Sequence, residues 1–214
     1  MFKIMSLFFS CWITVGVGMA EAASLWKMDF ESYKQSQMPS GFETSGPGWS
    51  IIREKTAPSK ENSYFARMGE GAGVYSTAIF REAGELGAIA TQVRIRIDKS
   101  GKDQSAGLVI KQKNGSDFLC VIISAAAVKG SVNLFRVNGK GAVVLASVNA
   151  KITAGIWQRL QVFTKDNRMS CSIDNQKIFD FENDVLSAGG RVGLITFGDS
   201  SAGFDNFTVS KIDK

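Results

Sequence analysis

A row of polar side chains spaced two residues apart is the clearest candidate for chemistry in this sequence. Gln92, Arg94 and Arg96 alternate with the apolar residues of one segment, so a β-strand would place all three on one face. Arg and Gln side chains can each donate paired hydrogen bonds, which suits vicinal hydroxyl groups or an acidic sugar. The row therefore predicts a polar ligand-binding face, and the alternative interpretation is an ordinary solvated sheet face.

Further cationic and amide side chains occupy similar positions in other apolar segments. Lys111 and Arg136 are expected to join the row, and Arg159 and Gln161 repeat its spacing of two residues in a later segment. Such residues line one surface when their strands are neighbours in a sheet. The predicted ligand-binding residues are Gln92, Arg94, Arg96, Lys111 and Arg136.

Three carboxylates near the two ends of the chain form a candidate metal site. Asp29, Glu31 and Asp205 would meet if the first and last strands paired. Calcium binds six to eight oxygen ligands, so a structural Ca²⁺ is the candidate cofactor. The alternative is that Asp205 caps a turn and that Asp29 is an exposed strand residue.

Aromatic rings are a second signal of sugar binding, because the apolar face of a sugar packs on a ring. Most aromatic residues fall within strand patterns, which favours a place in the core. Tyr33, Tyr64 and Tyr75 lie nearer to loops. The other candidates are Trp49, Trp157, Phe65, Phe118, Phe135, Phe163 and Phe197.

The chain contains no histidine. This removes the Ser-His-Asp and Cys-His nucleophile arrangements, the HExxH zinc site and any imidazole proton shuttle. The cysteines are too few and too scattered for a thiolate zinc site. An enzyme with this composition would depend on carboxylates, Lys, Tyr or a hard metal ion.

The elements that would position these residues are predicted to be β-strands. Apolar runs of about 5–8 residues alternate with polar residues between turn signals, and no segment shows a convincing helical stripe. The pattern predicts about twelve strands in an all-β fold with two antiparallel sheets. Residues 118–124 are almost continuously apolar, as in a central strand, and Asn114-Gly115 predicts a type I′ hairpin turn.

The prediction of a two-sheet fold rests chiefly on residues 189–214. They read as two strands joined by a polar turn, and the glycines at the start and middle of the first strand indicate close backbone approach. The last strand needs a partner, and residues 26–31 are the natural choice. Pairing the two ends of the chain would cover an edge that otherwise invites aggregation.

The first 22 residues resemble a secretory signal peptide. Lys3 precedes an apolar run of about fifteen residues, and Ala20-Glu21-Ala22 fits the small-x-small cleavage pattern. The run is short for a membrane span, which needs about twenty residues. Acylation at Cys11 is a weaker alternative. We therefore expect residues 23–214 to form one exported domain, secreted or periplasmic, with no membrane span.

Charge and cysteine content restrict the partners of that domain. The net charge is +5, and the 25 basic residues are interspersed with 20 acidic ones, which suits an anionic glycan or cell surface and does not indicate nucleic acid. Cys120 and Cys171 both lie in apolar strands. They could pair in an oxidising compartment or remain two small buried side chains.

Short motifs, in a characteristic order, extend over the whole chain after residue 22. The matching stretches are Asp29-Phe30-Glu31, Pro39-x-Gly41-Phe42, Trp49, Thr56-Ala57-Pro58-Ser59, Ala106-Gly107-Leu108-Val109, Val132-x-Leu134-x-Arg136-Val137-x-Gly139, Trp157-x-x-Leu160-x-Val162, Gly190-Arg191-Val192-Gly193-Leu194 and Phe204-Asp205-Asn206-Phe207-x-Val209. In this order they resemble the concanavalin A-like lectin/glucanase superfamily. More narrowly, they resemble bacterial secreted 3-keto-disaccharide hydrolase-like domains, also described as family-16-glycoside-hydrolase-like.

The resemblance implies a jelly-roll sandwich and a role connected with saccharides. Laminarinase-type members carry a Glu-x-Asp-x-Glu run, which is absent here, and retaining hydrolysis needs two carboxyl groups about 5–5.5 Å apart. We therefore expect a lectin-like carbohydrate-binding domain without evident catalytic residues. A sugar-acting hydrolase of the 3-keto-disaccharide type and a cell-envelope structural or adhesion domain with a protein partner remain the alternatives.

Overall fold

The computed structural model describes residues 26–69, 75–126 and 130–212. These residues form fifteen β-strands and one 3-10 turn at Asp184–Leu186. The expected leader at residues 1–22 lies outside the described part of the chain. Within that part, no helix has the length and apolar character needed to cross a membrane.

The strands form two sheets in which neighbouring strands are antiparallel. Sheet A contains β1 (Trp26–Met28), β3 (Trp49–Arg53), β4 (Ser63–Arg67), β6 (Ile89–Ile97), β11 (Gln158–Lys165), β12 (Arg168–Ile173), β13 (Gln176–Glu182) and β15 (Ala202–Lys211). Its strand order is β13-β12-β11-β6-β15-β4-β3, and β1 also pairs with β15. The strands that carry Gln92, Gln161 and Asn206 are therefore adjacent in the middle of this sheet.

Sheet B packs against sheet A. It contains β2 (Phe42–Ser45), β5 (Tyr75–Phe80), β7 (Ser105–Asn114), β8 (Asp117–Ser124), β9 (Ser131–Asn138), β10 (Gly141–Asn149) and β14 (Arg191–Phe197). Its strand order is β10-β9-β8-β7-β14-β5-β2. The apolar strand β8 lies inside this sheet, as the sequence predicts.

The predicted pairing of the chain ends is confirmed. Trp26 lies opposite Val209 and Met28 lies opposite Phe207. The glycine signal in β14 is also confirmed, because a Cβ atom on Gly193 would collide with the carbonyl oxygen of Ala78 on the neighbouring strand β5. Only glycine allows the two backbones to approach this closely.

The main core lies between the two sheets, where the inward-facing residues of each strand meet. Val93 and Ile95 of β6 pack in one cluster with Leu108 of β7 and Leu194 of β14, and all four are buried. Burial of each such side chain contributes about 1.5–3 kcal/mol. Because Val93 and Ile95 point inward, the alternate residues of β6 point to the outer face of sheet A.

Two local predictions differ from the structure. The structure has fifteen strands, whereas the sequence pattern predicts about twelve. The strands that were not predicted include β2 and β5. In β5 the buried polar residues Ser76 and Thr77 interrupt the apolar alternation that marks a strand. The hairpin at Asn114-Gly115 is present, but neither residue has the positive φ that a type I′ turn requires. Positive φ at two successive turn residues occurs instead at Asp174-Asn175.

Candidate functional site

A cavity of about 330 Å³ opens on the outer face of sheet A. We call it the sheet-A cavity. It is lined by Lys27, Pro58, Gln92, Val93, Arg94, Arg159, Asn206 and Thr208. Two of the five predicted ligand-binding residues, Gln92 and Arg94, are therefore part of its wall.

Strand register explains why these residues meet. Arg94 of β6 lies opposite Arg159 of β11, and on its other side it lies opposite Asp205 of β15. Gln92 lies opposite Gln161 of β11 and Thr208 of β15. Because residues directly opposite each other in antiparallel strands share a face, the register gathers two rows of polar side chains at one place.

The neutral polar groups of this surface have free hydrogen-bonding capacity. The side-chain amide of Gln161 donates to Gln92 Oε1 at 3.3 Å. The amide nitrogen of Gln92 has no hydrogen-bond acceptor among the described residues. Asn206 Nδ2 makes only a long contact of 3.4 Å to Ser59 Oγ. Amide groups of this kind can both donate to and accept from hydroxyl groups.

Asp205 lies beside the cavity and is fully buried. Its carboxylate accepts hydrogen bonds from Ser59 Oγ at 2.6 Å, from the Ser59 backbone N–H at 2.9 Å and from the Asn206 backbone N–H at 2.6 Å. Burial raises the pKa of Asp205 to about 6, and the charge of Glu31 acts in the same direction. The hydrogen bonds oppose this rise without cancelling it.

Arg96, the third member of the predicted row, is on the same face but is held by protein groups. It donates to both carboxylate oxygens of Glu54, at 2.9 and 2.8 Å, and to Thr56 Oγ1 at 2.5 Å. The hydrogen bond from Arg96 lowers the pKa of Glu54 to about 2. Arg96 therefore anchors the loop of residues 54–62 and does not line the cavity.

The rings of Tyr64 and Trp157 complete the surroundings of Arg96. The guanidinium carbon lies 5.3 Å from the centre of each ring, a cation–π distance. Burial raises the pKa of Tyr64 to about 12. Both aromatic candidates thus pack on a protein cation.

Lys111 and Arg136 are not part of this face, because β7 and β9 belong to sheet B. They line a second cavity of about 170 Å³. Lys111 Nζ donates to the carbonyl oxygens of Gly87 and Ala188 at 2.6 Å each, and burial lowers its pKa. The predicted single surface is therefore wrong for these two residues, since strand order separates them from β6.

The candidate calcium ligands do not gather into a metal-binding group. Asp29 is exposed and accepts from the backbone N–H of Glu31 at 3.3 Å, while Glu31 Oε1 accepts from the Ser63 backbone N–H at 3.2 Å. Both oxygens of Asp205 already accept hydrogen bonds. No group of three acidic, His or Cys side chains in the described ranges is arranged to hold a metal ion, while Glu31 Oε2 is buried without a hydrogen-bond partner among the described groups. The Ca²⁺ site stays a prediction.

The remaining aromatic candidates occupy three environments. Trp49 and Phe65 are buried in the main core, Tyr33 packs against that core, and Phe163 is 39% exposed on sheet A. Tyr75, Phe118, Phe135 and Phe197 pack against a second apolar cluster of sheet B. None of these rings lines the sheet-A cavity.

Three polar residues of the cavity wall were not among the predicted site residues, namely Lys27, Asn206 and Thr208. The signal for Lys27 is the predicted pairing of the two chain ends, because Lys27 lies opposite Thr208 in that pairing. Asn206 has no such signal. It adopts a positive φ of 50° at an irregularity in β15 between Asp205 and Thr208, and a bulge of this kind redirects side chains.

No protein-family model and no curated protein matches the chain. Solved structures do resemble it. The carbohydrate-binding module CBM66 from Bacillus subtilis superimposes with a TM-score of 0.64 at 18% identity, covering 80% of this chain and 96% of the module. The carbohydrate recognition domain of Emp47p gives a TM-score of 0.60 at 12% identity, covering 92% and 99%.

A third similar structure is the exoplasmic/lumenal domain of VIP36 in its Ca²⁺/Man3GlcNAc-bound form. Its TM-score is 0.58 at 12% identity, and the match covers 81% of this chain and 87% of that domain. At these identities the likeness concerns the fold alone. The chain is an all-β, antiparallel two-sheet jelly-roll sandwich with a concanavalin A-like lectin fold, as its sequence predicts.

Proposed function

We propose that this protein is a carbohydrate-binding domain whose ligand occupies the sheet-A cavity. The observation that carries the proposal is a cavity of about 330 Å³ walled by Gln92, Arg94, Arg159, Asn206 and Thr208. This volume lies within the range of small-molecule sites, about 300–1,000 Å³. The names of the structurally similar CBM66 module and Emp47p domain, which specify carbohydrate binding, support the same function.

The chemistry of the wall suits a sugar. Vicinal hydroxyl groups present a donor and an acceptor side by side, which the amides of Gln92 and Asn206 can pair with. Gln92 and Asn206 lie on the neighbouring strands β6 and β15 in the middle of sheet A, and a site built on paired strands loses less conformational freedom on binding than one built on loops.

One observation favours a second function, that of a sugar-acting hydrolase of the 3-keto-disaccharide type. Asp205 adjoins the cavity with a pKa of about 6, a value suited to a general acid or base near neutral pH. Binding without turnover supports the lectin-like function, whereas product formation that is lost in Asp205→Asn supports the hydrolase. A protein partner recovered by crosslinking would favour an adhesion domain instead.

We also propose that the protein is exported after cleavage behind Ala22. This rests on the sequence of residues 1–22 alone. Intact-mass analysis of the protein recovered from the periplasm or the medium should give a chain that begins at Ala23. A cytoplasmic protein that keeps Met1 would contradict export.

The test of binding is a glycan array probed with residues 23–214, with calcium and again with a chelator. We expect specific binding that the chelator does not abolish. Gln92→Ala should weaken the best hit about tenfold, because one polar contact of the site is lost. Gln176→Ala, on the exposed edge strand β13, is the matched control and should bind normally. A blank array, or equal losses in both variants, would overturn the proposal.

A further inference from the structure

Three cationic side chains converge on the sheet-A cavity. Lys27 of β1, Arg94 of β6 and Arg159 of β11 all contribute to its wall. Arg94 and Arg159 are directly opposite each other in the register of the two strands. Like charges in directly opposed positions destabilise a sheet, so this arrangement costs folding free energy in the absence of an anion.

The described part of the chain supplies no carboxylate that pairs with these three cations. Four other arginines of the protein are ion-paired. Arg96, Arg136, Arg168 and Arg191 each lie within 4.0 Å of an acidic side chain. In addition, Arg159 Nε is buried and has no hydrogen-bond partner among the described groups. The cations of the cavity thus differ from these four ion-paired arginines.

The acidic groups near the cavity are engaged elsewhere. Asp205 lies opposite Arg94, but its carboxylate is directed to Ser59 and to the Asn206 backbone N–H. Asp174 accepts a hydrogen bond from the backbone N–H of Arg159 at 2.8 Å and does not pair with the guanidinium. The surface offered to a ligand is therefore positive.

We infer that the sheet-A cavity binds an acidic saccharide and places its anionic group between Arg94 and Arg159. The inference rests on the proposed function and specifies the class of sugar. A guanidinium group binds a planar carboxylate through two parallel hydrogen bonds and also binds sulfate. Lys27 of β1, which pairs with β15, adds a compact third charge to the wall. Gln92 and Thr208 remain for the hydroxyl groups of the same sugar.

A calorimetric titration with matched probes tests the inference. The probes are an oligogalacturonate, its fully methyl-esterified form and a sulfated oligosaccharide of similar length. The first two have the same sugar backbone, and the ester replaces each carboxylate with an uncharged methyl ester, so we expect the acid to bind at least about tenfold more tightly than the ester. Affinity should fall as salt rises from 0.05 to 0.5 M, values chosen because the Debye length shrinks about threefold over this range. Tighter binding of the sulfated probe would assign the anion as sulfate.

Variants locate the anion site. Arg94→Gln and Arg159→Gln should each weaken the acidic probe about tenfold and leave the ester almost unaffected. Arg94→Lys keeps the charge and should recover part of the loss. Arg168→Gln removes the same charge at an exposed position that pairs with Glu182, and it should bind normally. Thermal unfolding of each variant verifies that it folds.

The outcomes separate the two proposals. Equal binding of acid and ester would overturn the acidic-saccharide inference and leave carbohydrate binding intact. Failure of every probe and of the glycan array would overturn both. Equal losses from Arg94→Gln and Arg168→Gln would show that net charge, and not this cavity, attracts the probe, which also overturns the inference.

Discussion

Arg96 and Glu54 form a two-point ion pair on the outer face of sheet A, with nitrogen–oxygen distances of 2.9 and 2.8 Å. The pair joins β6 to the loop that follows β3. The same loop carries Pro58, which lines the cavity, and Ser59, which donates to Asp205. Arg96 therefore supports the cavity from a neighbouring position without entering it.

Arg96→Gln should lower the free energy of unfolding by about 2 kcal/mol at pH 7, because it leaves Glu54, Thr56 and Tyr64 without their common donor. Urea unfolding measures this. Arg168→Gln breaks the pair with Glu182, in which the side chains are 75% and 57% exposed, so its cost should stay below about 0.5 kcal/mol. Equal costs would contradict the structural role of Arg96.

The ion pair should also weaken in acid. The pKa of Glu54 is lowered to about 2 from its usual 4.5, so its stabilisation is complete above pH 4.5 and is lost as the pH falls through 2. Glu54→Gln should therefore be less stable than wild type at pH 6, and the difference should vanish near pH 2. A difference that is independent of pH would contradict this assignment.

Asp205 should give the opposite pH dependence. Its pKa is raised to about 6 from its usual 3.8, so the folded state holds the proton more tightly than the unfolded chain. Its stabilising contribution is present below pH 4 and is lost as the pH rises through 6. We expect the stability of wild type relative to Asp205→Asn to decline by about 2–3 kcal/mol between pH 4 and pH 7.5.

Thermal or urea unfolding over this pH range checks the prediction for Asp205. Asp98→Asn is the control, because burial also raises the pKa of Asp98 and its contribution has the same sign. The part of the decline that Asp205 causes should therefore persist in Asp98→Asn and be missing from Asp205→Asn, which keeps only the contribution of Asp98. A relative stability that rises with pH would show that the hydrogen bonds to Asp205 outweigh its burial.

Gly107 of β7 should not tolerate a side chain. A Cβ atom there would collide with the carbonyl oxygen of Val121 and would lie 2.9 Å from Ile122 Cα. Both are backbone atoms of β8 and cannot move aside. Gly107→Ala should cost about 3 kcal/mol in urea unfolding. Gly115→Ala meets nothing within 4 Å and should cost less than about 0.5 kcal/mol; comparable costs would contradict this packing.

The two cysteines should remain reduced and unreactive in the folded protein. Cys120 lies in β8 of sheet B and Cys171 in β12 of sheet A, and both are free and buried. Burial raises the pKa of both thiols, that of Cys171 to about 12, so thiolate is scarce at neutral pH. Ellman's reagent should detect no thiol in native residues 23–214 and two after unfolding. A disulfide-linked peptide would contradict the prediction.

Periodicity predicts most of the strands of this chain, although it misses β2 and β5. Alternation in β6 predicts that Val93 and Ile95 point inward and that Gln92 and Arg94 point outward, and each of these orientations is observed. The pairing of the chain ends is also predictable, because an apolar last strand needs a covered edge. Alternation depends on residues that are neighbours in sequence, and the pairing of the chain ends depends on one apolar strand that lacks a partner. Both features can therefore be predicted from the sequence.

Only the tertiary structure decided which polar residues share a surface. Alternation assigns a residue to one of two faces of its own strand, but it contains no information about which strands are adjacent. Strand order therefore separates Lys111 and Arg136 from Arg94, while the irregularity in β15 brings Asn206 to the cavity. Adjacency follows from the packing of the whole chain, and for that reason the sequence determined the fold class and the tertiary structure determined the candidate site.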